Sequence, residues 1–362
     1  MSALIPALVA LRPRQWVKNL FVFAGLIFSQ SLFTPLIWPA LGAFATFCAL
    51  SGAIYVFNDV ADVEKDRLHP NKRYRPIARG ALSIPAALTL GVVLLVGSLV
   101  AAFTLSLPFG LVAAAYAALL TAYSVWLKHV VILDVLTVAA GFVLRAVAGA
   151  AAIRVEISGW LVICTILIAL FLALGKRRHE YRTLRGDAAA HRPILAEYSE
   201  GFLDQMVAVV TASTVTAYAL YTMSPDTVAK FHSRLLPITL PFVLYGIFRY
   251  LYLLYRREMG GNPSDLLLND RALLLNTVLW MLALLVIIYG PVWGPAWMAR
   301  WSGPSTWICP RAASRWCRAA SGAPTATRRC RTLPAASWWR APGRTASARS
   351  IPPADGCTAR RA

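Results

Sequence analysis

Residues 58–80 read NDVADVEKDRLHPNKRYRPIARG, a run in which acids are followed closely by cations. Asp59, Asp62 and Asp66 stand at i, i+3 and i+7, a spacing that puts all three on one face of a continuous helix. Carboxylates gathered in this way repel one another unless something positive lies between them. Mg²⁺ suits the arrangement, because it takes a few carboxylates and completes its shell with water and phosphate oxygens. Asn58 precedes the acids, and Lys65, Arg67, Lys72, Arg73, Arg75 and Arg79 intersperse and follow them, enough positive charge to hold the rest of a polyanion. The pattern points to a site for a magnesium-bound diphosphate. A solvated, charge-balanced loop is the competing reading of the same residues.

The elements that must position this segment are apolar. The chain has 362 residues, of which 58% are hydrophobic and only 14% charged. Its apolar residues fall into blocks of the length that crosses a bilayer, near 17–36, 38–57, 83–105, 108–127, 130–152, 158–175, 204–223, 234–254 and 272–292. Backbone groups cannot remain unpaired in lipid, so the blocks are expected to be helices. The expected fold is an all-α polytopic membrane protein of about nine transmembrane helices. Lys and Arg concentrate at the N-terminus and in the loops after alternate blocks, whereas only Arg154, Lys230, Arg234 and Arg300 flank the other side. The bias places the N-terminus and the Asp59 segment in the cytoplasm.

Composition divides the chain into a membrane domain, 1–300, and a tail, 301–362. The tail holds eleven Arg, one acid (Asp355) and four of the six cysteines, without an apolar period. It reads either as a basic, unstructured segment that binds anionic polymers or headgroups, or as out-of-frame translation of GC-rich coding sequence. Its Cys spacings match no zinc pattern. Cys48 and Cys164 lie inside apolar blocks and read as packing residues.

Other polar groups gather on the expected cytoplasmic side. RPRQWVKN supplies Lys18, YSVWLKHVVILD supplies Tyr123, Lys128 and Asp134, and GKRRHEYR supplies Lys176, Arg177, Arg178 and Glu180. GGNPSDLLLNDR precedes the last block. Headgroup anchoring accounts for isolated cations at helix ends, but a run of three with a glutamate exceeds that need. Arg145 lies well inside the fifth block, where an unpaired cation costs at least a few kcal/mol. It is therefore expected to face the interior and meet an anion, a carboxylate near Asp134 or a bound phosphate. HExxH, P-loop, Ser-His-Asp and dinucleotide-binding patterns are absent from the sequence, which argues against those chemistries.

The string NDxxDxxxDxxHPxKxxRPxxxG, met from Asn58 to Gly80, resembles the first signature of the UbiA-type intramembrane prenyltransferases. RPRQWVKN, YSVWLK followed by DV, GFVLRAVAGA, LGKRRHEY and GGNPSDLLLNDR resemble one branch of that family more closely. That branch is the decaprenyl-phosphate phosphoribosyltransferases of actinobacterial cell-wall synthesis. Similarity covers about 1–295. The usual second aspartate-rich DxxxD motif is replaced here by GKRRHEYR, and cations at that place suit a donor with an additional phosphate. The resemblance implies transfer of 5-phosphoribosyl from phosphoribosyl pyrophosphate to a polyprenyl (decaprenyl) phosphate, with Mg²⁺ as cofactor and pyrophosphate released. In that reading Asp59, Asp62 and Asp66 hold the metal, supported by Asn58. Lys72, Arg75 and Lys128 neutralise the leaving pyrophosphate, and Lys176, Arg177 and Arg178 hold the 5-phosphate. Tyr123 and Asp134 contact ribose or the metal shell, and Lys18, Arg145 and Glu180 complete the substrate site. The lipid bilayer is the expected surround, no nucleic acid is an expected partner, and homo-oligomerisation is left open. The alternatives are a prenyl diphosphate-dependent transferase acting on an aromatic acceptor, a transporter, and a catalytically dead relative.

Overall fold

The computed structural model describes residues 4–68, 72–183, 193–257 and 263–293, which form helices joined by turns. Among the described residues, eight helices are long and apolar enough to cross a membrane. We label them α1 (Ile37–Ala61), α2 (Ile84–Leu105), α3 (Leu107–Val125), α4 (Leu133–Ile153), α5 (Gly159–Thr183), α6 (Glu200–Met223), α7 (Leu240–Arg256) and α8 (Arg271–Trp293). No strand occurs among the described residues. The tail 301–362, including Asp355 and its four cysteines, lies outside the described residues.

Local chemistry sets several boundaries. Ser83 accepts a hydrogen bond from Ala86 N and opens α2, with Pro85 in its first turn, where a missing N–H costs nothing. Ser106 adopts an extended conformation between α2 and α3, and its hydroxyl accepts from Phe109 N. The two helices can therefore follow each other without an intervening loop. Ser199 opens α6 in the same way, by accepting from Phe202 N. Arg154 closes α4 in the left-handed region at φ 56°.

Helices adjacent in sequence pack as neighbours: α1 along α2, α3 along α4, α4 along α5, and α5 along α6. Large apolar side chains on the outer faces of α2 and α3, such as Val93, Val100 and Leu111, are exposed, as lipid-facing residues are. The interior of the bundle contains a mixed core instead, in which Phe47, Phe109 and Tyr116 pack beside buried Arg145 and Asn19.

The block at 17–36 departs from the expectation of a ninth long helix. Residues Pro13–Phe23 wind as a 3₁₀ helix, Ala24–Phe28 form one short α-helix, and Gln30 turns the chain at φ 58°. This composite segment lies against α1 and α4. Its backbone approaches α4 so closely that a Cβ at Gly149 would fall 1.8 Å from the Val22 carbonyl oxygen, and one at Gly25 would fall 2.9 Å from Ala150 Cα. The segment is thus packed into the bundle, with Asn19 donating to Ser51 at 3.2 Å.

Candidate active site

The acidic segment does not form one continuous helical face. Helix α1 ends at Ala61, Asp62 caps it at φ −99°, and Val63–Leu68 begin a new short helix. The break nevertheless brings two of the acids together. Arg75 Nη1 donates to Asp59 Oδ1 at 3.0 Å and to Asp66 Oδ2 at 2.5 Å, so one guanidinium nitrogen bridges both carboxylates. Arg12 also donates to Asp59 Oδ1. Asp59 and Asp66 are buried, while Asp62 is half-buried and its side chain makes no hydrogen bond or ion pair among the described residues. Asn58 is half-buried on the same turn.

Lys72 lies within electrostatic reach of Asp66, Asp62 and Glu180, which ties the acidic loop to the end of α5. Desolvation, followed by the charge of Arg75, pulls its ammonium below the ordinary lysine range, and the three acids oppose this. Lys176 Nζ lies 3.6 Å from Glu180 Oε1. Lys18 makes no hydrogen bond or ion pair among the described residues, and its electrostatic neighbours are Lys176, Arg145, Arg12 and Asp265. Arg12, Lys72 and Arg75 lie beside the carboxylates, and Lys18 and Lys176 lie near Arg12 and Glu180, so cations from three parts of the chain gather here. Like charges held together in this way call for an anion among them.

Three expected ligands have internal partners instead. Asp134 is fully buried, accepting from Arg177 Nε at 2.5 Å and from the Tyr198 hydroxyl at 2.8 Å. Arg177 also donates to Glu180 and, at 3.2 Å, to the Tyr123 hydroxyl. Arg178 donates to Asp204 Oδ1 at 2.5 Å, lies near Glu200, and stacks 3.8 Å over the Tyr255 ring. Arg177 and Arg178 are thus each paired with carboxylates of other helices, and Asp134 is a partner of Arg177 and Tyr198.

Arg145 meets no carboxylate among the described residues. It donates to Asn19 Oδ1 at 2.9 Å, the Gly141 carbonyl at 3.0 Å and the Tyr116 hydroxyl at 2.6 Å, with Tyr116 and Phe142 rings against its guanidinium. Neutral dipoles and aromatic faces spread its charge, and the contact to Asn19 fixes the composite segment to α4. Lys128 is half-buried in the 3₁₀ turn Leu127–His129, and no hydrogen bond or ion pair links it to the aspartates. Arg12, bound to Asp59, and Asp265, within electrostatic reach of Lys18, were not singled out by the motif reading, although they lie in the polar strings RPRQWVKN and GGNPSDLLLNDR.

The donor set can be tested for Mg²⁺ on this geometry. Asp59 and Asp66 are close enough to share one cationic nitrogen, and Asp62 is free on the adjoining turn. Among the described residues no three His, Cys, Asp or Glu side chains are gathered tightly enough to hold an ion by themselves. Two carboxylates, with the remaining positions left to water and phosphate, match how Mg²⁺ is ordinarily held. The residues fit an ion that arrives with a phosphate ligand.

Comparison with known proteins agrees with this geometry. The UbiA prenyltransferase family model matches residues 19–268. The chain belongs to the UbiA prenyltransferase family. This UbiA protein is a multi-pass membrane enzyme of the transferase class. Over 279 residues it is 32% identical to decaprenyl-phosphate phosphoribosyltransferase of Mycobacterium tuberculosis, covering 75% of this chain and 90% of the relative. Over 294 residues it is 33% identical to the protein of the same name in Corynebacterium glutamicum, covering 77% and 86%. Among solved structures, a UbiA homolog from Archaeoglobus fulgidus bound to GPP and Mg²⁺ superposes with a TM-score of 0.61 at 18% identity, covering 78% of this chain and 99% of that one. That likeness establishes the UbiA fold for this chain.

Proposed function

We propose that this UbiA protein transfers the 5-phosphoribosyl group of phosphoribosyl pyrophosphate to a polyprenyl phosphate, of which decaprenyl phosphate is the type, in making a cell-wall arabinan precursor. The observation that carries the reading is the gathering of cations, Arg12, Arg75 and Lys72 beside the carboxylate pair and Lys18 and Lys176 next to them, with Lys176 standing where a second acidic motif would otherwise serve a prenyl diphosphate. The names of the M. tuberculosis and C. glutamicum relatives support the same donor and acceptor.

In this reading Asp59, Asp66 and Asp62 hold Mg²⁺, which when bound offsets charge on the departing pyrophosphate. Arg75 and Lys72 contact the same pyrophosphate, and Asn58 supports the acids. Lys18 and Lys176, with Glu180 orienting the latter, take the 5-phosphate in place of the neutralised Arg177 and Arg178. The C1–O bond to pyrophosphate breaks as ribose C1 gains oxocarbenium character, and an oxygen of the lipid phosphate bonds to C1. A phosphate monoester is already ionised near neutral pH, so no general base is needed. The principal task of the site is to bring two polyanions together without repulsion. The bias of Lys and Arg supports an N-terminus and active site on the cytoplasmic side of the plasma membrane, where phosphorylated sugars are found. Residues 1–300 constitute the catalytic domain.

The A. fulgidus structure, bound to GPP and Mg²⁺, favours a second reading in which a prenyl diphosphate is the donor and an aromatic compound the acceptor. Purified protein supplied with radiolabelled phosphoribosyl pyrophosphate, polyprenyl phosphate and Mg²⁺ decides between them. Label is expected in the lipid phase, lost with EDTA and in Asp59→Ala. Label entering the lipid only from a prenyl diphosphate would overturn the first reading.

A further inference from the structure

Arg12 is bound to the acid that the proposed function requires for a divalent cation. Its backbone is left-handed, at φ 53° and ψ 63°, an uncommon conformation for a side chain of this size. Two contacts hold it there: the hydrogen bond to Asp59 Oδ1, and a stack 4.8 Å over the Tyr55 ring one turn earlier on α1. The short helix Leu4–Ala10 leads into it. Ala10 is buried in the cluster with Val56, Val63 and Ile77 that lies beneath the acidic loop. Leu11 rests on Gly52, where a Cβ would approach its Cδ2 to 3.1 Å. Arg12 thus sits on a packed strap beside the site, with 28% of its side chain still exposed.

Arg12 and Arg75 together occupy both lone pairs of Asp59 Oδ1, so a divalent cation that takes this oxygen displaces one of them, and Arg75 is the more firmly held because it also binds Asp66. We propose that Arg12 is an exchange residue: it guards Asp59 in the empty site, yields that oxygen as the cation enters, and turns its guanidinium onto the incoming diphosphate. The inference rests on the divalent cation and diphosphate of the proposed function, and not on the phosphoribosyl group. Arg12 is suited to both states. Its planar fork pairs equally with carboxylate and phosphate, and it stays charged throughout. The Tyr55 ring supplies a fixed surface along which the guanidinium can pivot without losing its cation–π contact. Arg75 shares Asp59 Oδ1 with Arg12 and also binds Asp66, so the two acids keep a cationic partner when Arg12 turns away.

The exchange predicts effects of opposite sign, which a merely structural residue would not give. Full-length protein in nanodiscs is titrated with Mn²⁺ alone, and then with inorganic pyrophosphate at saturating Mn²⁺, with free Mn²⁺ read by electron paramagnetic resonance. Arg12→Ala is expected to bind Mn²⁺ alone about tenfold more tightly, because Asp59 no longer has a competing hydrogen bond to a charged donor, and pyrophosphate about tenfold more weakly. Arg12→Gln, which keeps the length of the chain but not its charge, is expected to shift both affinities in the same two directions and guards against misfolding of the alanine variant. Unchanged or weaker Mn²⁺ binding in a variant that melts like wild type overturns the exchange, as does unchanged pyrophosphate affinity. Opposite shifts without phosphoribosyl transfer would leave the exchange standing and remove the proposed donor. Transfer without the opposite shifts would remove the exchange alone.

Discussion

Arg177 and Arg178 are adjacent in sequence and were legible only as surplus charge, since Glu180 is the one acid nearby and their other carboxylate partners lie far along the chain. Asp134 is 43 residues from Arg177, and Asp204 is 26 from Arg178. Arg177→Leu should leave Asp134 buried without its cation and destabilise the protein by about 3–5 kcal/mol, seen as a lower melting temperature in detergent. Arg177→Leu combined with Asp134→Leu should recover much of that loss, because an apolar pair needs no partner. Lys18 presents the opposite case. It is held among Lys176, Arg145 and Arg12, like charges that its own ammonium must oppose. Lys18→Met should raise the melting temperature by about 2–4 °C while raising the KM for phosphoribosyl pyrophosphate by about tenfold or more. A melting temperature that fell with KM unchanged would remove Lys18 from the site. The aspartates were legible because their types and spacing occur within nine residues of one another. The charges that complete the site come from elsewhere, and spacing along the chain carries no record of them.

At the scale of elements, the unexpected piece is Pro13–Phe23. Hydropathy counts apolar residues, and by that measure the block beginning at 17 resembles a spanning helix. What decides its shape is a set of close contacts: Val22 on Gly149, Gly25 on Ala150, and Asn19 held between Ser51 and Arg145. Gly149→Ala places a methyl group on the Val22 carbonyl, which is backbone and has little freedom to give way. It should cost about 1–3 kcal/mol of stability and loosen the segment that carries Arg12 and Lys18, measured as a lower melting temperature with reduced transfer. A second fastening closes the opposite side. The Tyr198 hydroxyl donates to Asp134 and accepts from Ile132 N at 2.8 Å, where Ile132 has φ 69°. Tyr198→Phe leaves both groups without that partner and should cost about 1–3 kcal/mol by thermal melting. The break of the acidic segment at Asp62 belongs to this scale too. A continuous helix would have aligned the three acids, whereas the turn folds Asp66 back toward Asp59 and lets Arg75 bridge them.

At the scale of the whole molecule, the proposed orientation has a direct measurement. Arg79 is exposed in the loop between the acidic segment and α2. With the four tail cysteines changed to Ser, Arg79→Cys should react with an impermeant thiol reagent in inside-out vesicles and stay unlabelled in intact cells. The reverse pattern would move the site to the outer face. Hydrophobic blocks and one signature were sufficient to determine a helical membrane protein of the UbiA type, because lipid restricts a buried backbone to very few forms and because consecutive acids and cations form a local record of phosphate chemistry. The tertiary structure alone decided which charges are paired between helices and which gather beside the aspartates. Neutralisation depends on distances of a few ångströms between segments far apart in sequence, and those distances exist only once the bundle has packed.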